Sequence, residues 1–300
     1  MAPDLASRCR VARSGDKLLL GLIGSGIQRS LTPALHEAEA QAQGLRLHYQ
    51  LIDLECSSQG SAALPLLLQA ARTMGFAGLN ITFPCKQAVM ALLDDLSPEA
   101  RAMGAVNTVV IRDGLAIGHN TDGSGWRWGF ERDLPRADLS RVVLLGAGGA
   151  GSAIAHAVLR MGAETLVLVD SDSARGADLA ARLNQFHAGH RVSFSSDAAA
   201  SLAGASGLVH ATPTGMDKLP GLPLPAALLR SELWVSEIVY FPLQTALLQA
   251  ARAQGCAVAD GGGMAVGQAL GAFELFTGQK ADVTRMQARF AALLQQRSEA

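Results

Sequence analysis

Few folds accommodate residues 141–170, RVVLLGAGGAGSAIAHAVLRMGAETLVLVD. Residues 142–145 are a short apolar run of the kind that fills a fully buried strand. Gly146, Gly148 and Gly151 come next at G-x-G-x-x-G spacing, followed by an Ala-rich segment of helical character. A second apolar run, residues 166–169, ends in an acid, Asp170. Glycine-rich turns are common on their own. Strand, turn, helix, strand and terminal acid in this order describe a dinucleotide-binding βαβ unit. One glycine makes the tight turn, one lets the backbone approach a pyrophosphate, and one lets the helix pack closely on the strand. The helix N-terminus then offers unpaired N–H groups and the positive end of its dipole to the phosphates.

Asp170 also bears on the choice of cofactor. A carboxylate there accepts hydrogen bonds from the ribose hydroxyls of NAD and repels a 2′-phosphate. Residues 171–173 contain no Arg or Lys, and the nearest cation is Arg175. NAD is therefore expected over NADP.

Length and composition narrow the function classes. A chain of 300 residues has room for two domains with separate cores. The net charge of −1, with no basic stripe, argues against nucleic acid as a partner. No apolar run reaches the roughly 18 residues of a membrane-spanning helix, so no membrane contact is expected. Cys9, Cys56, Cys85 and Cys256 lie far apart and lack metal-ligand spacing, which suits free thiols in a reducing cytoplasm and no metal site. Residues 1–17 lack the apolar run of a secretory signal and read as a poorly ordered leader.

Strands and helices alternate along the whole chain. Strands are expected at residues 18–23, at 48–53 and from 79 into the Pro84 turn, with helices over 34–44, 61–74 and 87–93. Thr32 reads as an N-cap with Pro33 at the first helical position. Residues 97–100 (SPEA) start another helix, and Asp113-Gly114 marks a turn. Past the βαβ unit, strands are expected at 191–194, 207–211, 234–239 and 257–258, with terminal helices over 265–276 and 284–296. Such alternation implies α/β domains with largely parallel sheets.

Polar residues recur at the ends of apolar strands: Ser30, Thr32, Asn80, Thr82, Lys86, Asn107 and Asp122. Ligands of open α/β sheets bind outside the carboxyl ends of the strands. One Lys and one Asp among amides and hydroxyls suit a small polyhydroxylated acid. Taken singly, each has a plainer reading. Lys86 is then a solvated surface lysine, Asp122 an Asx-turn residue, and Asn107 the cap of a strand end. Their recurrence at like positions favours the functional reading.

The motifs SLTP (30–33), LNITFPCK (79–86), GAVNTVV (104–110), GHNTDGSG (118–125), GAGGAG (146–151), ATPTGM (211–216), VYFPLQT (239–245) and DGGGMAVGQA (260–269) resemble, in this order, those of the shikimate/quinate dehydrogenases. The likeness runs from about residue 19 to 285 and is closest to the NAD-dependent quinate/shikimate members. It implies an N-terminal α/β substrate domain (18–122 plus 261–300), a Rossmann NAD-binding domain (123–260), and an active-site cleft between them. By position, Lys86 and Asp122 match the family's catalytic pair. Ser30, Thr32, Thr82, Asn107, Tyr240 and Gln268 match its substrate positions. Gly146, Ala147, Gly148, Gly149, Ala150, Asp170, Thr212, Val239, Gly261 and Met264 fall on the cofactor side, with Arg175 beside them. S-x-T at residues 30–32 and the acid at the second strand's end resemble the NAD-using members. Arg29, where a His is more common, and His210, where an Asn is usual, depart from the pattern and bear on which ring is preferred.

The reaction implied is reversible oxidation of a ring secondary hydroxyl of quinate or shikimate to the 3-dehydro ketone. Lys86 acts as general acid/base, Asp122 bonds the same hydroxyl, and Ser30 and Thr32 bind the ring carboxylate. A paralogue acting on an amino-substituted ring fits the same motifs. A non-catalytic NAD-sensing regulator on this scaffold is a different class, and the complete hydroxyl-binding set argues against it. The partner expected is a small molecule, with the protein a monomer or homodimer.

Overall fold

The computed structural model describes residues 11–187, 189 and 191–298. The chain forms two compact units. The first comprises the described residues up to Arg101, Ala105–Thr121 and those from Ala269 onward; the second comprises Ala102–Gly104 and Asp122–Gln268.

The first part of the chain runs through β1 (Lys17–Gly24), α1 (Thr32–Ala42), β2 (Arg46–Asp53), α2 (Leu64–Thr73), β3 (Gly78–Ile81), β4 (Asp95–Leu96), α3 (Pro98–Met103), β5 (Thr108–Arg112) and β6 (Leu115–His119). The strands make one sheet in the order β2-β1-β3-β5-β6-β4. β1 is covered on both faces. Leu20 and Leu22 join Tyr49, Val110 and Phe276 on one side, and Ile23 joins Leu68, Leu79 and Val109 on the other. Each side chain so buried contributes roughly 1.5–3 kcal/mol.

This sheet is less uniformly parallel than expected. β1 runs parallel to β2 and β3, and β4 to β6, but β5 is antiparallel to both β3 and β6. The cause is local. Asp113 and Gly114 both have positive φ (51° and 79°), the conformation of a two-residue hairpin turn, which joins only antiparallel strands.

Other local expectations shift for physical reasons. Thr32 is the first residue of α1 rather than its N-cap; Leu31 occupies that place with helical dihedrals and no side-chain cap. The helix expected from residue 61 begins as a 3₁₀ turn, Gly60–Ala63, and becomes α2 where Pro65 sits in the first turn, as its missing N–H prefers. Residues 88–92 are 3₁₀ rather than α. Part of the supposed leader is ordered: Ala12 is buried beside Phe273, and its N–H donates to the Thr277 carbonyl at 2.7 Å. Residues 1–10, with Cys9, lie outside the described residues.

The second unit contains α4 (Asp122–Asp133), β7 (Arg141–Leu145), α5 (Gly149–Arg160), β8 (Thr165–Val169), α6 (Ser173–Phe186), β9 (Arg191–Ser195), α7 (Ala198–Leu202), β10 (Gly207–His210), β11 (Trp234–Glu237), α8 (Ala246–Ala253), β12 (Val258–Ala259) and the start of α9 (Gly261–Thr277). The last helix, α10 (Val283–Ser298), packs on α1. All six strands of this unit are parallel, in the order β12-β11-β10-β7-β8-β9. That is the doubly wound Rossmann order, with its reversal between β7 and β10. Alternate residues of β7 enter opposite layers, Val142 and Leu144 one and Val143 and Leu145 the other. Both units are thus α/β. The expected domain boundary and the division by contacts differ mainly in α9, whose residues 261–268 go with the second unit.

Candidate active site

In the second unit the glycine turn lies between β7 and α5. Gly146 has φ +100°, a conformation L side chains rarely adopt. A Cβ on Gly151 would stand 1.9 Å from the Gly146 carbonyl oxygen, so only glycine allows this helix to meet the turn. A Cβ on Gly148, the N-cap of α5, would meet nothing within 4 Å. The turn therefore presents bare backbone to open space at a helix N-terminus, the form of a pyrophosphate cradle. Ala147 and Asp170 join the two strand ends: the Ala147 N–H donates to Asp170 Oδ2 at 2.6 Å. Asp170 also accepts from the Asp172 N–H (2.8 Å) and from Arg175 Nη2 (2.6 Å). Burial alone would raise its pKa; the Arg175 guanidinium and the two backbone donors outweigh this and hold the carboxyl below its ordinary range. The donor set and the bare turn fit a dinucleotide.

The remaining cofactor-side residues lie beyond β10 and β11 and at the start of α9. A Cβ on Gly146 would stand 3.1 Å from Thr212 Cγ2, so Thr212, just past β10, lies against the turn. Gly261, the first residue of α9, sits on the Ile238 and Val239 carbonyls; a Cβ there would be 2.5 Å from both oxygens. Met264 is buried on α9, one turn before Gln268, whose Nε2 donates to the Ala265 carbonyl at 3.0 Å. Tyr240 is half-buried beyond β11. α4 and α9 approach backbone to backbone: a Cβ on Gly125 would be 2.3 Å from the Gln268 nitrogen, and one on Gly129 2.7 Å from the Gly263 Cα. Asp122, buried at the first position of α4, is carried on the same helix pair.

In the first unit, Thr82 follows β3 and its N–H donates to the Ile23 carbonyl at 2.9 Å, which sets it beside the end of β1. Lys86 is half-buried in the following turn, where its carbonyl accepts from the Val106 N–H at 2.8 Å. Ser30 Oγ accepts from the Thr32 N–H at 3.3 Å, and both residues are half-buried. Asn107 is buried; its Oδ1 accepts from the Thr121 N–H (2.8 Å) and its Nδ2 donates to Thr121 Oγ1 (2.9 Å). It thereby anchors the residue that precedes Asp122. Asn80 is an internal strut: Tyr49 Oη donates to its Oδ1 at 2.6 Å, and its Nδ2 donates to Thr108 Oγ1.

Two positioning groups escaped the sequence reading. Asp53, at the end of β2, accepts from the Gly26 and Ile27 N–H groups (2.9 and 3.1 Å) and from Gln28, fixing the loop that leads to Ser30. Burial pushes its pKa up, but the backbone donors and Gln28 prevail and hold it low. Glu237, at the end of β11, bonds His210 at the end of β10. In each case the available signal was a charged residue closing an apolar strand, the signal that had identified Asp170. Among the described residues no cluster of three or more His, Cys, Asp or Glu could hold a metal ion, and no helix is long and apolar enough to cross a membrane.

Comparisons with known proteins show the family of the chain. Residues 22–109 match the family model of the shikimate dehydrogenase substrate binding domain, and residues 261–289 that of the shikimate 5′-dehydrogenase C-terminal domain. A shikimate dehydrogenase (NADP(+)) of Streptomyces avermitilis is 57% identical over 93% of this chain and 96% of its own. A quinate/shikimate dehydrogenase (NAD(+)) of Corynebacterium glutamicum is 47% identical over 93% of this chain and 99% of its own. The solved quinate dehydrogenase from Corynebacterium glutamicum in complex with NAD superposes with a TM-score of 0.85 at 46% identity, covering 92% of this chain and 99% of that one. The chain belongs to the shikimate dehydrogenase family of oxidoreductases.

Proposed function

We propose that the protein is an NAD-preferring quinate/shikimate dehydrogenase, which oxidises a ring secondary hydroxyl reversibly to the 3-dehydro ketone. Relatives named for either nicotinamide cofactor resemble this chain strongly, so overall likeness does not choose between them. The observation that carries the NAD reading is the end of β8. Arg175 pairs there with both Asp170 (2.6 Å) and Asp172 (3.6 Å), so two carboxylates face one cation and the corner keeps net negative charge. Such a corner accepts ribose hydroxyls and disfavours a 2′-phosphate.

In this reading Gly146, Ala147, Gly148, Gly149 and Ala150 hold the pyrophosphate, and Thr212, Val239, Gly261 and Met264 border the nicotinamide half. The bound cofactor supplies the hydride acceptor. Lys86 takes the hydroxyl proton during oxidation and returns it during reduction, while Asp122 accepts a hydrogen bond and fixes the direction of transfer. Ser30 and Thr32 donate to the ring carboxylate, and Thr82, Asn107, Tyr240 and Gln268 select the ring hydroxyls. Residues 18–122 with 261–300 form the substrate part, and 123–260 the cofactor part.

The test is an initial-rate assay of nicotinamide reduction with quinate and shikimate, each with NAD and NADP. Turnover with NAD well above NADP is expected. Preference for NADP would overturn the cofactor reading. Failure with both rings, with NADH still bound, would redirect the assignment to an amino-substituted ring or to a sensor.

A further inference from the structure

The second unit contains a buried ionisable pair to which the proposed reaction assigns no role. His210 and Glu237 are register partners at the ends of the neighbouring strands β10 and β11, and both side chains are fully withdrawn from solvent. His210 Nδ1 lies 2.9 and 3.0 Å from the two Glu237 oxygens. The same carboxylate accepts from the Ile238 and Val239 N–H groups at 2.8 and 3.0 Å and from the Thr245 hydroxyl at 3.1 Å. A carboxylate surrounded by donors requires a donor from the imidazole as well, so Nδ1 carries the hydrogen. The ring is thereby fixed in orientation, and its Nε2 stands 2.5 Å from Thr212 Oγ1. With the ring hydrogen on Nδ1 the Thr212 hydroxyl donates to Nε2, and its oxygen accepts from the Thr214 N–H at 3.3 Å.

Thr212 in turn touches the glycine turn: its Cγ2 would lie 3.1 Å from a Cβ on Gly146. β10 and β7 are the strands between which the sheet order reverses. Dinucleotides lie across that reversal. With the ribose acid on the β8 side, the nicotinamide half faces the ends of β10 and β11. A threonine hydroxyl left to itself samples three rotamers. Here one rotamer is selected by a ring that is itself held by Glu237.

We infer that His210 is a positioning residue: paired with Glu237, it holds Thr212 by its hydroxyl in one rotamer, with the Thr212 methyl against the glycine turn, for the nicotinamide half of the dinucleotide. This rests on the dinucleotide reading above. Glu237 serves the same purpose on the neighbouring strand, since it also orders Ile238 and Val239, on whose carbonyls Gly261 rests.

The experiment uses the full chain and the variants His210→Asn, Thr212→Val and both together. NADH affinity is read by nicotinamide fluorescence, 5′-AMP affinity by calorimetry, and KM separately for NAD and for the ring acid. Each single variant is expected to raise the NADH Kd about tenfold, the scale of one lost hydrogen bond. AMP affinity and the ring-acid KM should stay within about twofold, and the double variant should bind NADH no worse than the weaker single, as for one shared interaction. Wild-type NADH affinity in the variants would overturn the inference. So would equal losses for NADH and AMP, or single effects that multiply in the double, since either marks a merely structural pair. If His210→Asn does not fold, Thr212→Val, which leaves the buried pair intact, decides by the NADH-against-AMP comparison alone. A wild-type chain that binds neither NADH nor AMP would instead remove the dinucleotide reading on which the inference stands.

Discussion

Arg175 Nη2 stands 2.6 Å from Asp170 Oδ1, so the acid that ends β8 is closed by a cation from the first turn of α6. Replacing the acid removes the nearer of that cation's two carboxylates and leaves it only the longer contact with Asp172 (3.6 Å), so the corner loses its net negative charge. Asp170→Ala should therefore lower the ratio of kcat/KM for NAD to that for NADP by roughly tenfold or more, the effect of 1.4 kcal/mol. Paired rate measurements with the two cofactors check this, and an unchanged ratio would discard Asp170 as the discriminator.

Lys86 is assigned the proton transfer. Lys86→Ala should reduce kcat by at least about 10²-fold, the low end for loss of a general acid or base, with NADH affinity unchanged. Steady-state kinetics beside a fluorescence titration separate the two quantities. Turnover close to wild type would sink the assignment.

The glycine turn permits a contrast between neighbours. An added methyl at Gly151 collides with the Gly146 carbonyl oxygen, whereas one at Gly148 enters open space. Gly151→Ala should destabilise the fold by about 1–3 kcal/mol, as overpacking does. Gly148→Ala should keep the wild-type Tm yet weaken NADH binding, because its methyl occupies the place where backbone meets pyrophosphate. Thermal unfolding and NADH titration of both variants provide the check; a Gly148→Ala protein that binds normally would contradict the cradle.

His36 gives stability a pH dependence. Its ring is fully buried among Tyr49, Phe273 and Phe276, and neither nitrogen has a hydrogen-bond partner. Burial lowers its pKa from 6.5 to about 3, against a smaller opposing pull from Glu39. Below pH 6.5 the unfolded chain binds a proton there that the folded chain refuses, so stability is complete above that pH and declines as pH falls towards the folded value. The loss should be about 2 kcal/mol between pH 6.5 and 5. Urea unfolding at pH 7 and 5 should show this drop in the wild type and much less of it in His36→Leu.

Much of the molecule was legible in the chain because its evidence is local. Short apolar runs between turn residues mark the strands, and glycine spacing before a helix marks the βαβ unit. Asp113-Gly114 marks a turn from its residue types, and the antiparallel pairing of β5 and β6 follows from its backbone dihedrals. Acids and hydroxyls at strand ends were visible as types. Their individual duties were not, and Asn80 shows why: it sits among the polar residues at a strand end, yet Tyr49, more than thirty positions away, turns it inward as a strut.

Sequence alone, then, determined the two α/β layers and the dinucleotide turn, since propensity, periodicity and glycine sterics act within a few residues of one another. Tertiary structure decided which polar groups are spent on one another. Asp53 holds the loop before Ser30, Arg175 closes Asp170, Asn107 anchors Thr121, and Glu237 aims His210 at Thr212. Each pairing needs hydrogen-bond distance and direction, and the larger ones join residues on different strands, so they exist only once the sheets have brought those strand ends side by side.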